Sequence, residues 1–188
     1  MRHLVYACAS DAPEMPEVVH RYLRLGFSYG NQIRTMLADP VVAATDSLAR
    51  YVANECERTR QFVRFSHMQD GSFFAVFRPQ ANTLPLTSNY FASRLGTERF
   101  CLADPMHGIA IFHDPNCPPN VMRLDGELMR ELVRRQDLHP DEERVRAMWR
   151  IFYEKVSLPN RGKEQRGYDL RMSWMPKRFW EGLTEFGA

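Results

Sequence analysis

The chain has 188 residues, 44% of them hydrophobic, and a net charge of +2 at neutral pH. That length suits one substantial core and argues against two large domains. The small net charge excludes attraction to a polyanion through the overall field, so any such attraction must come from local clusters of cations.

Residues 1–14 contain no apolar run of signal-peptide length, and no later stretch approaches the length needed to span a bilayer. A cytoplasmic protein without membrane contact is therefore expected. The opening 1–14, closed by Pro13 and Pro16, reads as a tail or a lone strand. From Met15 to Met36, Val18, Val19, Tyr22, Leu23 and Phe27 recur at helical spacing, interrupted by Gly26 and Gly30. Asp39-Pro40 is a helix start, because the carboxylate can cap free amides and proline loses nothing at the first helical position. That second helix is expected to reach about Arg60, burying Val41, Leu48, Val52, Cys56 and Thr59.

The pattern then changes to period two. Phe62–Phe65 and Ser72–Arg78 flank Asp70-Gly71, a dipeptide suited to a tight hairpin. Leu84–Leu95 predicts a short helix closed by Gly96. Phe100–Ala103 and Ile109–His113 predict a second hairpin turning near Gly108, with Val121–Leu124 as an edge strand after Pro118-Pro119. Pro140 followed by Asp141, Glu142 and Glu143 starts a last helix, whose buried face should be Val145, Met148, Trp149, Phe152 and Val156. The expected fold is α+β in a single domain: residues 15–61 helical, 62–124 an antiparallel sheet of four or five strands with one inserted helix, and 125–188 helical with a basic aromatic C-terminus.

Chemistry is sparse. Cys8, Cys56, Cys101 and Cys117 never form a Cys-x-x-Cys pair, which argues against a zinc ribbon, an iron–sulfur site or a disulfide framework and leaves reduced thiols. His107, His113 and Asp114 match no metal motif, so no metal and no cofactor are expected. No serine sits in a nucleophile elbow, and Gly26 to Gly30 lies in a helical pattern rather than after a strand, unlike a phosphate loop.

The C-terminus is richer. Arg161, Lys163, Arg166, Arg171, Lys177 and Arg178 interleave with Tyr168, Trp174, Phe179 and Trp180, which pairs cations for phosphates with flat faces for bases. Arg161 to Arg171 reads as a contact loop, and Trp174 to Trp180 as a docking segment whose rings face either a ligand or the core. Arg64 and Arg94 join the candidate nucleic-acid contacts. An enzymatic alternative places a pocket at Asn82, Arg94 and Asp104, where arginine would hold an anionic substrate and aspartate act as a base. A third reading is a protein-binding adaptor without nucleic-acid contact.

Several strings resemble a bacterial domain-of-unknown-function family whose members carry a DNA-metabolism label. They are Arg21-Tyr22-Leu23-Arg24-Leu25-Gly26-Phe27, Ala38-Asp39-Pro40, Phe62-Val63-Arg64-Phe65, Asn82-Thr83-Leu84-Pro85-Leu86 continuing to Phe91 and Arg94, and Met175-Pro176-Lys177-Arg178-Phe179-Trp180. The resemblance implies a DNA repair or modification setting, a radical-SAM protein as partner and, in some bacteria, fusion to a uracil-DNA-glycosylase-like domain. It also implies a longer N-terminal portion in relatives, so this chain is expected to lack an opening strand and helix. Tyr90 and Ala103 depart from the family pattern, where histidine is common, and Met106-His107 replaces a basic pair.

Overall fold

The computed structural model describes residues 2–134, 137–156, 176, 178 and 179. The chain gathers into two compact units, the first formed by residues 1–60 and 79–87 and the second by 61–78 and 88–188.

The first unit is helical. Residues Arg2–Ala7 form helix α1, where the sequence suggests a tail or a lone strand. Six residues are too few for a helix to persist alone. Packing supplies the difference, because Ala7 is fully buried against Leu48 and Ala49. Ser10 then bridges Ala81 in an isolated antiparallel pair. Helix α2, Met15–Tyr29, passes through Gly26 unbroken and ends where Gly30 takes φ 54°, and the chain continues as a 3-10 segment over Gly30–Thr35. Val18 and Val19 pack toward α1, but Phe27 is 91% exposed, so the buried stripe is narrower than the periodicity suggests.

Helix α3, Pro40–Phe62, starts as expected: the Asp39 carboxylate accepts the Val41 and Val42 N–H groups. Its buried face is Val42, Thr45, Leu48, Ala49, Val52, Glu55, Cys56 and Thr59. Val41 stands at the edge of that face.

The second unit is built on a five-stranded sheet in the order β1-β2-β3-β4-β5, with strands Ser66–His67, Phe73–Val76, Phe100–Asp104, Ile109–His113 and Asn120–Arg123. Because α3 continues to Phe62, residues 62–65 do not form the first hairpin strand, which is the short β1 instead. The Asp70-Gly71 turn is present, with Gly71 at φ 78°. The sheet is mixed, not wholly antiparallel. Between β2 and β3 the chain passes through helix α4, Leu84–Leu95, and such a crossover returns the next strand in the same direction, so Phe73 to Val76 pair in parallel with Phe100 to Ala103. The other three pairings are antiparallel.

One sheet face carries Phe74, Cys101, Ala103 and Ala110, clustered with Met68 and with Met129 from helix α5, Gly126–Val133. The sequence pattern did not separate this helix, although Asp125 caps it by accepting the Glu127 and Leu128 N–H groups. On the other face Phe65 meets Phe91 and Phe100 edge-on, at 5.7 and 5.5 Å. Helix α6, Glu142–Val156, reverses another expectation: Val145, Met148 and Trp149 are exposed, while among the described side chains of this helix Glu142 is the buried one. Its carboxylate is recruited by the His67 N–H and by Arg146, so a polar bond outranks the apolar stripe there. The side chains of Phe152 and Val156 lie outside the described residues.

Candidate functional site

The most organised polar group in the second unit is the β3–β4 turn. Asp104 ends β3 fully buried, and its Oδ1 accepts the backbone N–H groups of Met106, at 3.0 Å, and His107, at 3.3 Å. Its Oδ2 lies 2.5 Å from His107 Nδ1. Aspartate is suited to this bend, since a short carboxylate can reach amides two and three residues on, and Gly108 completes the turn at φ 64°. A buried carboxylate on Nδ1 fixes the imidazole's orientation, an arrangement that equips histidine to move a proton through its other nitrogen. Both Asp104 oxygens are committed, Oδ1 to the turn amides and Oδ2 to His107. The structure joins Asp104 to His107 and not to Arg94, which is exposed at the end of α4 with Nη1 3.5 Å from the Tyr90 hydroxyl.

Asn82 belongs to the first unit, beside a buried polar cluster. Its N–H donates to the Ala9 carbonyl at 2.9 Å, while its Oδ1 is buried and, among the described residues, meets no hydrogen-bond donor. Next to it, Thr83 shares a 3.0 Å hydroxyl–hydroxyl bond with Thr59, and both residues are fully buried. Glu55, also fully buried, accepts the Gln80 N–H at 2.9 Å and Arg58 Nη1 at 3.0 Å. An unpaired buried charge costs several kcal/mol, so these partners are what allow a carboxylate inside a helical unit. Sequence periodicity places Thr59 on the buried face but not Glu55; glutamate is almost never fully buried unless paired, and the pairing is invisible in sequence.

The candidate nucleic-acid contacts divide. Arg64 is exposed, and its Nη1 donates to the Gln61 carbonyl at 2.9 Å near the end of α3. Carbonyls at a helix C-terminus attract such a cation, so Arg64 caps the helix and, among the described residues, its charge is not matched by a carboxylate. Phe179 is 4% exposed and stacks on Phe77, at 4.5 Å, and Phe62, at 5.8 Å. The Arg178 guanidinium lies 4.3 Å from the Phe179 ring centroid. Phe179 is thus a core residue. Arg161, Lys163, Arg166, Arg171, Trp174, Lys177 and Trp180 lie outside the described residues.

His107 and His113 sit at opposite ends of β4 and do not gather with Asp114 into one group. Among the described residues, no cluster of three or more His, Cys, Asp or Glu side chains could hold a metal ion, and no helix is long and apolar enough to cross a membrane. None of the four cysteines is in a disulfide; Cys8 and Cys117 are exposed, Cys56 and Cys101 buried. Burial pushes the Cys56 thiol up to about 11, partly opposed by the Arg60 charge, which leaves it a weak nucleophile.

Neither a curated protein nor a solved structure matches the chain. The family model of a domain of unknown function, DUF4130, matches residues 13–185. That span includes α2 to α6, all five strands and the aromatic anchor at Phe179, and the chain belongs to the DUF4130 family.

Proposed function

We propose that this chain binds nucleic acid, DNA in the first instance, as an accessory to a radical-SAM or glycosylase-type enzyme of DNA repair or modification. The observation that carries this reading is the placement of charge. Residues 1–156 hold equal numbers of cationic and anionic side chains, so the whole surplus of +2 falls within residues 157–188. There it is interleaved with Tyr168, Trp174 and Trp180, the pairing of cations and rings that suits phosphates and bases together. Arg64 adds a cation that, among the described residues, is held by the Gln61 and Val63 carbonyls rather than by a carboxylate.

The test is a titration of labelled single- and double-stranded oligonucleotides, with and without the radical-SAM partner. Binding that weakens steeply between low and moderate salt supports the reading. Co-purification with the partner and no oligonucleotide binding would replace it with the adaptor reading.

The Asp104–His107 pair favours a second reading, an enzyme acting on an anionic substrate with His107 moving the proton. Replacement of His107 by Gln would then abolish turnover while leaving oligonucleotide affinity unchanged; equal losses of both would count against it.

A further inference from the structure

A separate feature of the second unit lies at the far end of the β3–β4 ladder. The register pairs Phe100 with His113 and Cys101 with Phe112, which puts Arg99 and Asp114 at the next opposed positions, one beyond the ladder. Residues opposed in this way are within side-chain reach of each other. Yet they form no ion pair: Arg99 Nη2 donates instead to the Asp70 carbonyl at 3.0 Å, and among the described residues the Asp114 carboxylate takes no hydrogen bond. Both residues line a cavity of about 340 Å³ whose lining also includes Cys101, Phe112, Leu132 and Asn120.

The volume falls within the range of small-molecule sites, roughly 300–1,000 Å³. An apolar floor with an unmatched cation and an unmatched anion at its edge calls for a ligand bearing both charges and an apolar body. A simple anion would satisfy Arg99 but meet Asp114 with repulsion, and a simple amine would do the reverse. A peptide terminus carries only one of the two charges beside its end residue. We propose that this cavity binds a free apolar or aromatic α-amino acid as its zwitterion. The carboxylate sits on the remaining Arg99 donors, the ammonium on Asp114, and the side chain over Phe112 and Leu132. A guanidinium keeps enough donors for a two-point contact after giving one to a carbonyl. The site owes nothing to nucleic-acid binding, since none of its residues is a candidate contact for that role.

The test is a titration of the full chain with L-phenylalanine and L-leucine, followed by amide shifts in NMR, with 3-phenylpropanoate and phenethylamine as analogues lacking one charge each. The expected result is saturable shifts at Cys101, Phe112 and Leu132, with each analogue at least about tenfold weaker than L-phenylalanine. Arg99→Gln and Asp114→Asn should each weaken the amino acid about tenfold, and Asp114→Asn should tighten 3-phenylpropanoate. Asp114 is exposed and its carboxylate holds no other described side chain, so its variant keeps the fold. Absence of shifts at these residues up to about 10 mM amino acid, or analogues that bind as well as L-phenylalanine, would overturn the proposal.

Discussion

Asp104 and His107 are locked together in the β3–β4 turn, with Oδ2 2.5 Å from Nδ1 and Oδ1 holding the Met106 and His107 amides. One side chain therefore shapes the turn and aims the imidazole. Asp104→Ala leaves two amides and a ring nitrogen without their acceptor, and is expected to lower unfolding free energy by about 2–4 kcal/mol. Asp104→Asn keeps one acceptor and should cost less. Urea midpoints measure both; a midpoint for the alanine variant equal to wild type would show that the turn does not depend on the carboxylate.

The buried cluster of Glu55, Thr59 and Thr83 predicts coupled losses. Thr59→Val removes the hydroxyl partner of Thr83, so each single valine variant should cost about 1–2 kcal/mol and the double variant less than their sum. Glu55→Ala strips the acceptor from the Gln80 amide and from Arg58, and is expected to cost about 3 kcal/mol. A double-mutant cycle in denaturant reads the coupling, and strict additivity would mean that the 3.0 Å hydroxyl pair contributes nothing.

The elements with a strong local signal were legible in sequence. Asp39-Pro40 started α3, Gly96 closed α4 at Leu95, and Ile109–His113 formed β4 at the expected bounds. What the sequence concealed was decided at long range. Helix α1 depends on the burial of Ala7 against Leu48, and the parallel pairing of β2 with β3 depends on where α4 delivers the chain. The apolar periodicity of α6 marked a face that is exposed, because Glu142 is held by the His67 amide 75 residues earlier. For the candidate site, Asp104 was expected to share a pocket with Asn82 and Arg94, whereas the structure pairs it with His107 three residues on; that Asp-x-x-His spacing had no part in the expectation.

Phe179 separates packing from ligand contact in the C-terminal segment. Stacked on Phe77 and Phe62 and nearly fully buried, it should cost about 3–5 kcal/mol when replaced by alanine. At temperatures where the variant remains folded, the salt dependence of oligonucleotide binding should match wild type. A changed salt slope without loss of stability would place Phe179 on the ligand side instead.

Cys56 predicts a pH effect with a definite sign. Burial raises its thiol from an ordinary 9.0 to about 11, so the folded chain keeps a proton that the unfolded chain releases. Its contribution is whole below pH 9 and is lost as the pH rises toward 11, at most about 2–3 kcal/mol. Wild type should therefore lose more stability over that window than Cys56→Ala, which lacks the group. Near neutral pH, a thiol reagent should modify the exposed Cys8 and Cys117 quickly and the buried Cys56 slowly; rapid native-state labelling of Cys56 would contradict its burial.

The most direct measurement compares oligonucleotide affinity against salt for wild type and for a variant with Arg161, Lys163, Arg166 and Arg171 all changed to glutamine. Removing one cation from a phosphate should make the slope of log affinity against log salt shallower by about 0.7–0.9, so the variant is expected to bind more weakly with a slope reduced by about 3. A wild type that does not bind, or a variant with the same affinity and the same slope, would contradict nucleic-acid binding through the C-terminal cations.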